Sequence, residues 1–290
     1  MTAPLSVDAT RSYPIRLGAS LEQAWRRLTR TPSHARRAEA ARRASRRALA
    51  VTALTAVLIA ILMFTLDAWV IQLMPPRGTA ALWPVRLVSD FGKSSYVLWA
   101  LIVVLALLLL SAPRLRGRAY VSLVGLGDRL LFILLSVSVS VLIGDVLKGI
   151  VGRGRPFVGG HANPFNYSHF AWTETYASFP SGHALTSAAL AFAVAAVWPR
   201  LRWWMLAYVV VILLSRLVLL AHHPSDVVGG ALVGLLSAMA VRHWFAARRL
   251  AFTIAADGTI VPLPGPTLAD LKKVARGVFA PYEAQSARRV

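Results

Sequence analysis

The sequence predicts an all-α integral membrane protein built as a bundle of six transmembrane helices. Three observations carry this. Six long apolar runs divide the chain: 49–74, 96–112, 130–147, 184–198, 203–220 and 227–241. The composition is 57% hydrophobic with a mean hydropathy of +0.58, where a soluble domain is nearer about 45–50% apolar. Basic residues gather beside alternate ends of the runs, as the flanks of spanning helices do.

Taken in order, the chain begins with a basic tail, 1–47. It carries eleven arginines against Asp8, Glu22 and Glu39. From Ser20 onward its pattern suits a basic helix lying on a membrane surface. A disordered basic tail is the other reading. The tail is too long and its following apolar run too extended for a secretory signal. The net charge of +20 would suggest nucleic acid on a soluble protein; beside apolar runs it sets topology instead. There are no cysteines, which excludes disulfides, thiolate metal sites and a cysteine nucleophile.

A spanning helix needs about 20 residues, within about 17–25. The runs at 184–198 and 227–241 reach that length only if Ser181 to His183 and Asp226 belong to the same helices. The charge count then fixes orientation. With the N-terminus inside, the inner regions are the tail, 113–129, 199–202 and everything from Arg242 on. They hold twenty-five Lys and Arg, and the outer regions hold seven. Both termini are therefore expected in the cytoplasm. Domain limits follow as the tail 1–47, a membrane domain 48–249 and a cytoplasmic C-terminal tail 250–290.

Three polar clusters fall together on the outer side of this plan. The first is Lys148-Gly-Ile-Val-Gly-Arg-Gly-Arg155-Pro156. Lysine offers a point charge and arginine a planar fork that binds two phosphate oxygens. Gly149, Gly152 and Gly154 permit a tight backbone path, and Pro156 keeps Arg155 out of helix. A plain juxtamembrane basic patch would explain the same residues, but such patches belong on the cytoplasmic side. The second cluster is Pro180-Ser181-Gly182-His183. Serine caps a helix N-terminus, and free N–H groups there attract anions. An ordinary capped helix with a chance histidine is the alternative. The third is Ser215-Arg216 through His222, His223, Pro224 and Asp226. Pro224 suits the first turn of a helix, and Asp226 in that turn could orient His222. Arg216 near the end of a span requires an anionic partner, because unpaired it costs about 2.5–3.5 kcal/mol. A substrate phosphate, Asp226 or Asp145 would serve.

The three clusters, in this order and spacing, resemble the signature of the type 2 phosphatidic acid phosphatase family, which includes membrane lipid phosphatases and soluble vanadium haloperoxidases. The resemblance spans about residues 145–226 and leaves both tails unexplained. It implies that His222 is a nucleophile forming a phosphohistidine, that Asp226 orients it, and that His183 is the general acid and then base. It implies a phosphate clamp of Lys148, Arg155 and Arg216, with Ser181 and the Gly182 backbone as further contacts. His223 becomes a neighbour. No metal or other cofactor is implied.

The expected function is hydrolysis of a lipid phosphate or pyrophosphate at the outer face of a bacterial-type plasma membrane, periplasmic or extracellular. Substrates within reach are undecaprenyl pyrophosphate, phosphatidylglycerol phosphate, phosphatidic acid and lipid A 1-phosphate. The partners are the lipid substrate and the bilayer, with no nucleic acid. A phosphotransferase using the same phosphohistidine is one alternative and a non-enzymatic anion or lipid carrier another. Outside the motifs, Asp145 is placed to pair with Lys148. Asp90 and Lys93 could line an entrance. His161, His169, Trp172 and Glu174 fall in the outer loop, where solvated side chains are common.

Overall fold

The computed structural model describes residues 12–31 and 37–279. Parts of both tails, 1–11, 32–36 and 280–290, lie outside the described residues. Ten α-helices and one two-stranded hairpin make up the described chain. They are α1 (Tyr13–Leu28), α2 (Arg37–Thr65), α3 (Asp67–Leu73), α4 (Trp83–Asp90), α5 (Ser94–Ser111) and α6 (Gly117–Val151), followed by α7 (Gly182–Val197), α8 (Arg202–Val218) and α9 (Pro224–Ala247). The strands β1 (Phe252–Ile254) and β2 (Ile260–Pro262) precede α10 (Leu268–Phe279).

Five helical stretches are long and apolar enough to cross a membrane: Ala41–Thr65, Ala80–Arg114, Gly117–Val151, Pro199–Val218 and Pro224–Ala247. The fourth expected span, 184–198, is not among them: it is α7, with 16 residues, about 24 Å at 1.5 Å per residue. That falls short of a hydrocarbon core of about 30 Å. The last run, by contrast, is extended at both ends into a 24-residue helix. The first run is not one helix either. It breaks at Leu66, and α3 restarts on Asp67, whose buried carboxylate is drawn into an ion pair described below. Large apolar side chains such as Leu54, Phe64, Trp99 and Trp204 are exposed, which suits lipid rather than water as their surroundings.

The chain divides into two compact units. Among the described residues, one comprises 12–31, 37, 101–131 and 245–279. Within it, Arg27 pairs with Asp128 at 2.6 Å, Tyr13 Oη donates to the Leu110 carbonyl at 2.7 Å, and Ala112, Leu115, Leu123 and Val274 form a small core. The part of the predicted C-terminal tail that is described, 250–279, is folded here. Strands β1 and β2 pair antiparallel around Asp257-Gly258, a dipeptide that favours tight hairpin turns, and Gly258 takes φ +77°.

The other unit comprises 38–100 and 132–244. Its core includes Val137 on α6, Ala189 on α7 and Ala238 on α9, packed with Val97, Leu190 and Phe192. Helices α7 and α9 approach so closely that a Cβ on Gly234 would stand 2.2 Å from the Leu185 carbonyl oxygen. Only glycine allows that contact. The packing fixes the start of α7 beside the start of α9, where Ser181 N–H donates to the Asp226 carbonyl at 3.0 Å.

Candidate active site

Lys148 lies in the last turn of α6, and its ammonium donates to Asp145 at 2.8 Å. The chain then turns through Gly152, φ +58°, where a Cβ would lie 1.8 Å from the Ser168 carbonyl oxygen. No side chain fits there. Beyond it the backbone is pinned on both sides. Gly154 N–H donates to Asn166 O at 2.8 Å, Arg155 N–H to Thr175 O at 3.0 Å, and Ser178 N–H to Arg153 O at 3.0 Å. This ladder holds Arg155 rigidly enough to serve as a binding group. Its guanidinium meets Glu174, through the carbonyl at 2.8 Å and the carboxylate at 2.7 Å.

Lys148, Arg155, Arg216, Lys93, His183 and His222 converge on one cavity of about 240 Å³, with Gly182 in its wall. Three separated sequence clusters therefore meet as expected. Arg216 comes from the last turn of α8 and donates to Ser89 Oγ at 2.6 Å, while its buried Nε has no partner. His183, in the first turn of α7, has a buried Nε2 with no partner. Ser181 occupies the N-cap position of α7 without a capping hydrogen bond, and its buried hydroxyl is also unpartnered. Buried polar atoms are normally satisfied, so two such atoms on residues that line one cavity, Arg216 Nε and His183 Nε2, mark a place built for a polar ligand. Ser181 and Asp226 do not themselves line it.

His222 has its ring almost wholly buried. Its Nδ1 stands 2.8 Å from the Ser178 carbonyl oxygen. A carbonyl can only accept, so Nδ1 carries the proton and the Nε2 lone pair is free. Burial pushes the His222 pKa well below the ordinary value; Asp226 opposes that shift, and Arg216 and Arg155 reinforce it. The ring is therefore neutral near pH 7.

Asp226 does not hold His222 as its spacing suggested. The nearest carboxylate oxygen is 3.9 Å from His222 Nδ1. That same oxygen, Oδ2, accepts from the backbone N–H of His223 at 2.8 Å, from Ser178 Oγ–H at 2.6 Å, and lies 3.1 Å from His223 Nδ1. The cause is local. Asp226 sits three residues into the helix turn that begins at His223, and a carboxylate there folds back to the first free N–H. Its link to His222 runs through Ser178, whose hydroxyl it holds and whose carbonyl holds the ring.

Sequence reasoning also missed Arg153, which is 1% exposed. It donates to Asp226 Oδ1 at 2.6 Å, Asp67 Oδ2 at 2.8 Å, Ser225 Oγ at 2.6 Å and twice to the Pro164 carbonyl. Ser225 also bonds both oxygens of Asp67. Burial works against the Arg153 charge, but the Asp226 and Asp67 carboxylates outweigh it and raise its pKa above the ordinary value. A carboxylate at position 67, interrupting an apolar run, was the available signal. His223, expected to be a mere neighbour, is fully buried and bound to Asp226.

Of the remaining candidates, Lys93 lines the cavity and pairs with Asp90 at 2.8 Å. His169 stacks on Tyr167. His161 is exposed, and Trp172 packs where a Cβ on Gly149 would go. Among the described residues, no three His, Asp or Glu side chains gather as metal ligands.

A family model described as the PAP2 superfamily matches residues 129–250. The chain is 30% identical over 213 residues to a lipid A 1-phosphatase of Rhizobium johnstonii (strain DSM 114642 / LMG 32736 / 3841), covering 69% of this chain and 85% of that protein. It is 29% identical over 194 residues to a lipid A 1-phosphatase of Rhizobium etli (strain ATCC 51251 / DSM 11541 / JCM 21823 / NBRC 15573 / CFN 42), covering 65% and 81%. Among solved structures, the first transmembrane PAP2 type phosphatidylglycerolphosphate phosphatase from Bacillus subtilis aligns with TM-score 0.45 and 20% identity, over 67% of this chain and 94% of that one.

Proposed function

The chain belongs to the PAP2 superfamily and is a membrane phosphatase acting on lipid phosphates; on that premise we propose that His222 attacks the substrate phosphorus and carries it as a phosphohistidine. The observation that carries this is the His222 ring itself. It is buried and neutral, tied at Nδ1 to a carbonyl, and its Nε2 is free in a cavity lined by Lys148, Arg155 and Arg216. In-line attack by Nε2 forms the N–P bond as the bond from phosphorus to the lipid oxygen breaks. The three cations stabilise charge on the equatorial oxygens, which is most of what phosphoryl transfer asks of a protein. His183 protonates the leaving alkoxide. It then takes a proton from water, which attacks phosphorus and releases inorganic phosphate. The Gly182 N–H completes the phosphate cradle, and Asp226 positions His222 through Ser178.

The site belongs on the outer face of the plasma membrane, with both termini in the cytoplasm. The positive-inside count supports this. So does the presence of Lys148, Arg155, Arg216 and Lys93 together at one cavity, since they lie between runs or, for Arg216, at the end of one, on the sparsely basic side. Lipid A 1-phosphate stands first among substrates because two relatives carry that activity in their names. Phosphatidylglycerol phosphate, phosphatidic acid and undecaprenyl pyrophosphate complete the panel.

The test is phosphate release by the purified protein across that panel, with His222→Ala as the blank. Free phosphate with no phosphorylated lipid product is expected. A phosphorylated lipid product would make it a transferase, and full activity in His222→Ala would sink the nucleophile.

A further inference from the structure

A second cavity of about 360 Å³ adjoins the first, and Arg155 and Arg216 line both. Arg77 and Arg86 complete its basic wall, and Leu82 and Leu219 give it an apolar side. No carboxylate lines it among the described residues. Neither arginine belongs to the three motif clusters.

Both guanidiniums are fixed in place without being neutralised. Arg77 donates through Nε and Nη2 to the Leu220 carbonyl, at 3.3 and 2.9 Å. Arg86 donates to the Thr79 carbonyl at 2.6 Å. No carboxylate pairs with either among the described residues. Burial and the nearby charge of Arg155 together push the Arg77 pKa down, a sign that like charges crowd here. Arg155 is paired with Glu174, but no carboxylate pairs with Arg77, Arg86 or Arg216 among the described residues; these guanidiniums repel one another, and an anion placed between them relieves that repulsion. Arginine forks match phosphate oxygens in particular.

The geometry points to a second anion subsite, formed by Arg77 and Arg86 beside the shared Arg155 and Arg216, that takes a further phosphate group of the same lipid. This rests on the assignment of the first cavity to the scissile phosphate. Two kinds of lipid carry a second phosphate that close: a diphosphate, through an anhydride oxygen, and a headgroup with a neighbouring phosphodiester. With a diphosphate, His222 Nε2 bonds to the terminal phosphorus as the bridging P–O bond breaks. The electron pair stays on the departing lipid monophosphate, whose charge Arg77 and Arg86 hold.

The experiment uses two matched pairs of lipids: an isoprenyl monophosphate and its diphosphate, and phosphatidic acid and phosphatidylglycerol phosphate. The wild type should prefer the member with two anionic groups in at least one pair, and the pair concerned names the source. Arg86→Gln and Arg77→Gln should each lower kcat/KM for that member about ten-fold more than for its partner, the loss of one charge-assisted contact. Equal losses on both members, or no preference in the wild type, would overturn the subsite. Arg86→Gln decides if Arg77→Gln does not fold, since the bond that Arg86 gives up is an exposed one to the Thr79 carbonyl.

A turnover-free arm separates this from the phosphatase reading. Inorganic pyrophosphate and orthophosphate are titrated calorimetrically into the wild type, His222→Ala and Arg86→Gln. Tighter binding of pyrophosphate in the first two, lost in the third, supports the subsite even if no lipid is hydrolysed. Turnover of lipids without that advantage leaves the phosphatase standing and removes the subsite.

Discussion

The Nδ1 of His222 lies 2.8 Å from the carbonyl oxygen of Ser178, and the hydroxyl of Ser178 lies 2.6 Å from Asp226. The proposed nucleophile is thus oriented by main chain, with the carboxylate one residue further back. A backbone carbonyl cannot be removed by substitution. Ser178→Ala keeps it and loses only the hydroxyl link, so kcat should fall less than about ten-fold. Asp226→Asn also removes the negative charge that faces Arg153 and should lower kcat further. Comparing kcat for the two variants against His222→Ala checks the order; a Ser178→Ala loss as deep as that of His222→Ala would refute it.

His222→Ala itself should lose at least about 10³-fold in kcat, as nucleophile deletions do. Rapid acid-free quenching of the wild type with a phosphate-labelled lipid should trap an acid-labile, base-stable phosphoprotein. The His222→Ala protein should trap none.

The depressed pKa of His222 predicts an unusual acid limb. A free imidazole is half protonated near about pH 6.5, but this one stays neutral well below that. Its ionisation should therefore not lower kcat/KM between about pH 5 and 7. In the substrate complex the bound phosphate favours the protonated His183 ring, so kcat should fall instead at high pH, as His183 loses the proton it must donate. A profile flat into strongly alkaline pH argues against His183 as the acid.

Stability moves the other way on the acid side. Below about pH 6.5 the unfolded chain protonates this histidine and the folded one does not, so the unfolded state binds more protons. The folded protein should lose stability as pH falls through that range and gain none above it. Thermal unfolding in detergent should show a shallower acid decline in His222→Gln than in the wild type.

Asp67 and Gly152 test the support beneath the site. Removing one partner of a buried ion pair costs about 3–5 kcal/mol, so Asp67→Ala should be strongly destabilised although Asp67 touches neither cavity. Gly152→Ala places a Cβ against the Ser168 carbonyl and forces φ +58° on a residue that disfavours it. The backbone strain alone should cost about 1–3 kcal/mol, and activity should fall with it. Denaturation midpoints of the two variants measure both losses.

Most of the cavity was legible in the chain. Lys148, Arg155, Gly182, His183, Arg216 and His222 each carry a residue type and spacing that speak for anion chemistry. The start of α9 at Pro224 was legible for the same local reason. What escaped was pairing over distance. Nothing near Arg153 announces that its partners are 86 and 73 residues away in opposite directions. The partner of Asp226 was misassigned because a helix-start carboxylate had two histidines within reach, and the cap geometry chose His223. The hairpin at 252–262 was missed although Asp257-Gly258 signals it. The short α7 shows the limit of counting apolar residues, since close packing on α9 shields its backbone as well as lipid does.

The buried triad of Asp67, Arg153 and Asp226 has a consequence for biogenesis. During synthesis Asp67 leaves the ribosome long before Arg153, and Arg153 long before Asp226. Each charge must wait unmatched at the membrane until the next segment is delivered. The clasp closes only when the start of α9 arrives, so the catalytic end of the protein is the last part of this unit to be completed. A nascent chain halted before residue 226 would carry all of the phosphate-binding cations and none of the finished site.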